Sequence, residues 1–80
     1  AASTVYTYVR LGQDGIAQAE LRALRGYLAA ALQTATPEQQ RVLNELDQLA
    51  ARLQQQLQTG DPAAYGSSRA LTDRFLQVQD

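Results

Sequence analysis

Glu20 is the residue whose position best suits acid–base chemistry. It is the one charge inside a broad apolar arc, near Ile16, Leu24 and Tyr27 along a helix. A carboxylic acid buried among apolar side chains has a raised pKa and can exchange protons near neutral pH. The alternative is a carboxylate near a helix start that reaches solvent or an arginine such as Arg10. We favour the alternative and predict that the chain is not an enzyme; catalysis would depend on Glu20 and arginines.

The other carboxylates do not suggest a metal or glycosidase site. Glu45 and Asp47 are two residues apart, so on a helix they point in different directions. Asp14, Asp61 and Asp73 fall at helix caps or on outer faces. The chain contains no histidine and no cysteine, the two commonest nitrogen and sulfur ligands. We therefore expect no bound metal and no cofactor.

The segment QQRVLN, residues 39–44, carries side chains of the types that contact DNA bases, directly after a short turn, as in a helix-turn-helix. Acidic residues flank it, however, and the net charge is −1. All seven basic residues are arginines, and they are scattered along the chain, so no basic stripe supplies phosphate contacts. We interpret the segment as a solvated helix face and expect no nucleic-acid partner. A helix-turn-helix-like DNA-binding regulator is kept as an alternative function.

The first residues could form an aromatic binding surface. VYTYVRL, residues 5–11, alternates β-branched and aromatic side chains, which is typical of a strand, and GQDG follows as a turn. We predict an extended arm over 1–13, with Tyr6 and Tyr8 on one side, where they would stack on a peptide or cover a core edge. A helical alternative exists, because Val5, Tyr8 and Val9 have spacings that would extend the next helix backward.

The elements that must position these residues are mainly helical. The chain is 80 residues long, which is the length of one small domain over 1–80. It is rich in the helix-forming residues Ala, Leu and Gln and contains only two prolines and five glycines. No apolar run is long enough to span a membrane. We predict an all-α fold: an antiparallel helical hairpin, a short third helix and the N-terminal extended arm.

The first predicted helix covers 14–33 and has two apolar surfaces. The broad arc contains the large side chains Ile16, Leu21, Leu24, Tyr27, Leu28, Ala31 and Leu32. Beside it lies a small-residue stripe, formed by Ala19, Ala23, Gly26 and Ala30 at spacings of four, three and four. Small side chains let another backbone approach closely. We predict that a second protein chain packs on this stripe.

The second predicted helix covers 36–58 and has a clear start. Thr36 fits as N-cap, Pro37 as the first helical residue and Gln39 as the reciprocal member of a capping box. Its apolar face consists of Val42, Leu43, Leu46, Leu49, Ala50, Leu53 and Leu57. Gly60 is expected to end it. This face has the width needed to cover the large residues of the first helix.

The third predicted helix covers 68–78, after a connector TGDPAAYGSS. Its apolar face is thin, and we assign to it Ala64, Ser68, Leu71, Phe75 and Val78.

Two short segments, TPEQQ and LTDRF, resemble the Leu-Thr-x-x-Gln repeats of the helical periplasmic stress chaperones. In the first segment Thr36 and Gln39 match the last two motif positions, with Ala35 in place of leucine. In the second, Leu71 and Thr72 match the first two, while phenylalanine stands in place of glutamine. The resemblance covers ten residues and implies, as an alternative function, a periplasmic stress-type chaperone.

These observations favour a small helical protein–protein interaction module: an adaptor, an assembly subunit or a small chaperone. Its partner would be another protein chain, either a copy of itself or a helical partner, in a homo- or hetero-oligomer. The expected contacts are the small-residue stripe, Tyr6 and Tyr8. No signal peptide is recognisable, and a start at Ala1 without Met fits removal of either a signal or an initiator Met, so the compartment stays open.

Overall fold

The computed structural model describes residues 2–78 and is all-α, as predicted. Within that range it contains four helices and no strand: α1 (Ala2–Arg10), α2 (Asp14–Leu32), α3 (Pro37–Thr59) and α4 (Ala64–Val78). None of these helices is both long and apolar enough to cross a membrane.

The prediction of an extended arm over 1–13 was wrong, because Ala2–Arg10 form α1. Val5 is completely buried and Ala2 nearly so, while Tyr8 and Val9 pack against the same core. These residues follow the helical spacing that the alternative interpretation noted. Burial against the other helices therefore outweighs the strand preference of β-branched and aromatic side chains. Gly12, with a φ of +73°, reverses the chain between α1 and α2.

Helix α3 begins and ends where the sequence signals place it. Gln39 donates its backbone N–H to the hydroxyl of Thr36, and the side chain of Gln39 accepts from the backbone N–H of Thr36, which completes the capping box. At the other end Gly60 adopts the left-handed conformation, with a φ of +70°. The apolar face of α3 is confirmed as core: Leu46, Ala50, Leu53 and Leu57 are buried, and Val42, Leu43 and Leu49 pack against them.

The last helix is longer than the predicted range 68–78, because α4 starts at Ala64. Asp61 makes this early start possible: its carboxylate accepts from the backbone N–H of Ala63 at 2.9 Å, and its carbonyl accepts from Ala64 at 3.0 Å. Burial of Ala64 and Ser68 then holds the first turns against the core, despite Gly66. The face that we assigned to this helix is confirmed, since Leu71 is also buried and Phe75 and Val78 are half-buried.

The four helices form a ring in which each helix packs against two others. α2 contacts α1 and α3, and α4 contacts α1 and α3. The diagonal pairs, α1 with α3 and α2 with α4, have no Cα–Cα distance of 8 Å or less. Short connections make neighbouring helices antiparallel. α1 therefore lies between α2 and α4 and runs antiparallel to both.

Two arginines join α3 to its neighbouring helices in the ring. Arg25 on α2 donates to both oxygens of Asp47, at 2.9 and 3.3 Å, and to Gln54 at 2.8 Å. Arg74 on α4 donates twice to Glu45 on α3, once at 3.1 Å. These bonds lower the pKa of Glu45 below its ordinary value. The stabilisation from this pair is therefore fully present above the unfolded pKa of Glu45 and is lost as the pH falls through the folded pKa.

We predict that Thr36→Ala lowers the free energy of unfolding by about 1 kcal/mol, because it removes the acceptor for the backbone N–H of Gln39. Chemical denaturation followed by circular dichroism measures the change. Thr34→Ala is the matched control, since Thr34 is an exposed threonine in the same loop. Equal stability of the two variants would show that the capping box does not stabilise α3.

Candidate functional site

The candidate site is an open channel between α2 and α4. Because the rise per residue is about 1.5 Å, the nine residues of α1 extend about 14 Å, whereas the 19 residues of α2 extend about 28 Å. The first turn of α1 lies beside the middle of α2, near Glu20, Ala23 and Leu24. We call the groove between α2 and α4 that holds α1 the seat of α1. Beyond the first turn of α1 no described helix lies in this groove, so that part of the seat is open.

The channel has two connected parts. The first, of about 430 Å³, starts at Ala2 and Ser3 of α1. The second, of about 720 Å³, reaches the α2–α3 connection at Thr34. Tyr27 and Phe75 line both parts and so join them. The remaining apolar lining comes from all four helices and the connection: Ala2, Ala23, Leu24, Leu28, Ala31, Ala35, Val42, Leu43, Leu46, Leu76 and Val78.

The channel has a closed floor and an exposed rim. Leu28 and Leu46 are each only 2% exposed, so α2 and α3 already pack tightly below it. On the rim, Tyr27 is 76% exposed and Leu76 is 60% exposed. Large apolar side chains that line one concave surface and remain open to water are typical of binding sites.

The charged residues that line the channel are both acidic. Glu20 lies in the first part, beside α1, and Glu38 lies in the second part, at the start of α3. Within residues 2–78 neither carboxylate forms an ion pair or a side-chain hydrogen bond. Glu20 itself is half-buried. Among the described residues no group of three or more acidic side chains is close enough to hold a metal ion.

The small-residue stripe lies at the edge of the channel, with one member inside it. All four residues, Ala19, Ala23, Gly26 and Ala30, are exposed, and Ala23 lines the first part of the channel. A Cβ atom added at Gly26 would meet no atom within 4 Å. Packing within this chain therefore does not require a glycine there.

Tyr6 and Tyr8 do not share a face, as they would on a strand, because residues two apart on a helix point about 200° apart. Tyr8 packs against the core. Tyr6 instead pairs with Tyr65 of α4, with ring centroids 5.7 Å apart and hydroxyl groups 3.2 Å apart. This hydrogen bond raises the pKa of Tyr6 above its ordinary value. Arg10 lies 5.6 Å from the centre of the Tyr6 ring.

Several residues of the DNA-reading and chaperone-like segments have structural partners. The side chain of Gln39 belongs to the capping box, and Gln40 donates to the carbonyl oxygen of Ala35 at 3.3 Å. Leu71 is completely buried. The hydroxyl of Thr72 lies 2.9 Å from the carbonyl oxygen of Ser68 and 3.2 Å from that of Ala2. Contacts within the fold therefore account for the presence of these four residues.

The sequence pattern indicated Phe75 and Val78 of the α4 lining, but not Leu76 or the pairing of Tyr6 with Tyr65. Leu76 was not assigned to any face, and Tyr65 was placed in the connector. The helical spacing of Val5, Tyr8 and Val9 was the available signal, because a helical start of the chain brings α1 beside α4. It could not show where along α2 the first turn of α1 lies.

We predict that Gly26→Ala raises the free energy of unfolding by about 0.5–1 kcal/mol, because alanine restricts the unfolded chain and meets no obstacle in the folded one. Thermal or chemical unfolding measures the effect. Ala29→Gly, at an exposed position of the same helix, should have the opposite effect of similar size. Destabilisation by Gly26→Ala would mean that a second backbone packs closely on Gly26.

Comparison of the chain with protein-family models, with curated proteins and with solved structures found no significant match. The geometry of the channel is therefore the basis for a functional conclusion.

Proposed function

We propose that this chain is a small helical protein–protein interaction module, which acts as an adaptor, an assembly subunit or a small chaperone. The observation that carries the proposal is the channel between α2 and α4. Its floor is buried leucine, its rim exposes Tyr27 and Leu76, and α1 fills only one end of the seat. Burial of that rim against another protein would remove apolar surface from water, at about 25 cal/mol per Å².

The position of the small-residue stripe also favours protein binding at the channel. Ala23 lies in the channel, and Ala19, Gly26 and Ala30 are exposed beside it. A partner seated in the channel could therefore extend over the stripe without meeting a large side chain. Tyr6 is a separate candidate contact, because it forms part of an aromatic and cationic surface with Tyr65 and Arg10. Tyr8 instead packs against the core.

Site-specific photo-cross-linking identifies the partner. We predict that a photoreactive amino acid at Leu76 gives a discrete adduct with another protein in the source cell, whereas the same group at Leu11 does not. The two leucines are matched, since both are large exposed apolar side chains, at 60% and 64%. Leu11 lies in the α1–α2 connection, away from the channel.

Binding of the purified adduct partner then tests the surface. Leu76→Ser should weaken binding about tenfold, because a leucine buried on binding contributes about 1.5–3 kcal/mol, whereas Leu11→Ser should leave binding unchanged. Both variants should unfold within about 0.5 kcal/mol of the parent chain, since neither leucine is buried. Ala23→Leu, which narrows the channel, should also weaken binding and preserve the fold. Equal affinities for the two serine variants would contradict a role of the channel.

A further inference from the structure

We propose that the occupant of the channel is an amphipathic helix of about ten residues whose apolar stripe is flanked by lysine or arginine. This inference rests on the proposed function of the channel as a protein-binding surface and names the kind of partner that it accepts. The bound helix would lie on the line of α1 and complete the fourth position of the helix ring along the uncovered part of α2.

Continuity with the seat of α1 indicates where the occupant lies. α1 already packs between α2 and α4, and Thr72 of α4 contacts the carbonyl oxygen of Ala2 in its first turn. The channel begins at these same α1 residues and continues past Ala23 to Thr34. The 11 residue steps from Ala23 to Thr34 correspond to about 16 Å, or about three helical turns. A ten-residue helix matches this length.

The spacing of the walls favours a helix over an extended peptide. α2 and α4 are held apart by the thickness of one helix where α1 lies between them, and no Cα–Cα distance between them is 8 Å or less. An extended peptide would need a strand edge to pair its backbone groups, and residues 2–78 contain no strand. A helix satisfies its own backbone hydrogen bonds and offers the channel a row of apolar side chains three and four residues apart.

The charge of the channel favours a basic partner. Its two charged lining residues, Glu20 and Glu38, lie near opposite ends, and neither has a cationic partner within the described part of the chain. Lysine or arginine beside the apolar stripe of the bound helix would complement them. A symmetric contact between the channels of two copies would instead bring together four carboxylates. The charge of the channel therefore favours a basic helix over a second copy of the same channel.

Peptide binding tests this inference directly. We would compare synthetic peptides of equal length, each held helical by a lactam bridge: one with lysine beside the apolar stripe, one with glutamate in its place, and one with lysine and a scrambled stripe. Titration calorimetry with the full chain should show binding of the first, binding at least tenfold weaker for the second, and none for the third. The Glu20→Gln/Glu38→Gln variant should bind the lysine peptide about tenfold more weakly, from about threefold per ion pair.

Asp14→Asn is the charge control, because Asp14 lies outside the channel lining and its removal should leave the lysine peptide bound as before. Equal affinity for the lysine and glutamate peptides, or association of the chain with itself through Leu76, would overturn the inference. If no helical peptide binds while Leu76→Ser still weakens binding of the cross-linked partner, the inference fails and the proposed function is retained. If Leu76→Ser and Leu11→Ser bind every ligand alike, both fail.

Discussion

The packing of α1 between α2 and α4 is the interaction on which the rest of the structure depends. Ala2–Arg10 cover one part of the groove between these helices, and no other helix within residues 2–78 covers the rest. In the covered part, Val5 is removed from water together with leucines of the other helices. In the uncovered part, the same two helices present apolar side chains to solvent. Helix α1 thus supplies part of the core and forms one end of the channel.

Helix α3 packs against both α2 and α4, which have no Cα–Cα distance of 8 Å or less between them. Arg25 binds Asp47 and Gln54, two positions on α3 that are seven residues apart, and so fixes the alignment of the two helices. The contact of Arg74 with Glu45 places α4 on the other side of α3. Both ion pairs are partly exposed, and exposed pairs contribute little to stability. Their effect is to hold α2 and α4 on opposite sides of α3, above a floor of buried leucine.

The sequence was sufficient to predict α3 almost completely, because its limits are set by local chemistry. A capping threonine, a first-turn proline and a left-handed glycine act within a few residues of the helix ends. The large residues of α2 were also predicted as core, although Ile16 and Tyr27 proved to be exposed. Position on an amphipathic arc does not show whether another helix covers that part of the arc.

The structure of α1 and the early start of α4 could not be predicted in this way, because both depend on contacts between residues far apart in the chain. VYTYVRL has a local preference for a strand, and only burial of Val5 between distant helices makes it helical. Tyr6 of α1 contacts Tyr65 of α4, 59 residues away in sequence. The channel depends on the same arrangement, because the first turn of α1 forms one end of it. Neither the alternating pattern nor the small-residue stripe contains that information.

Hydrogen exchange of the α1 amides tests most directly whether α1 is part of the core and defines the channel. Because α1 is a packed helix, the backbone N–H groups of its second half, from Tyr6 to Arg10, should be protected to a similar degree as those in the middle of α4. Measurement by nuclear magnetic resonance resolves the two helices residue by residue. Exchange of these α1 amides at the rate of an unfolded peptide, while α2, α3 and α4 remain protected, would show that α1 is a free arm. That result would contradict the packing of α1 between α2 and α4.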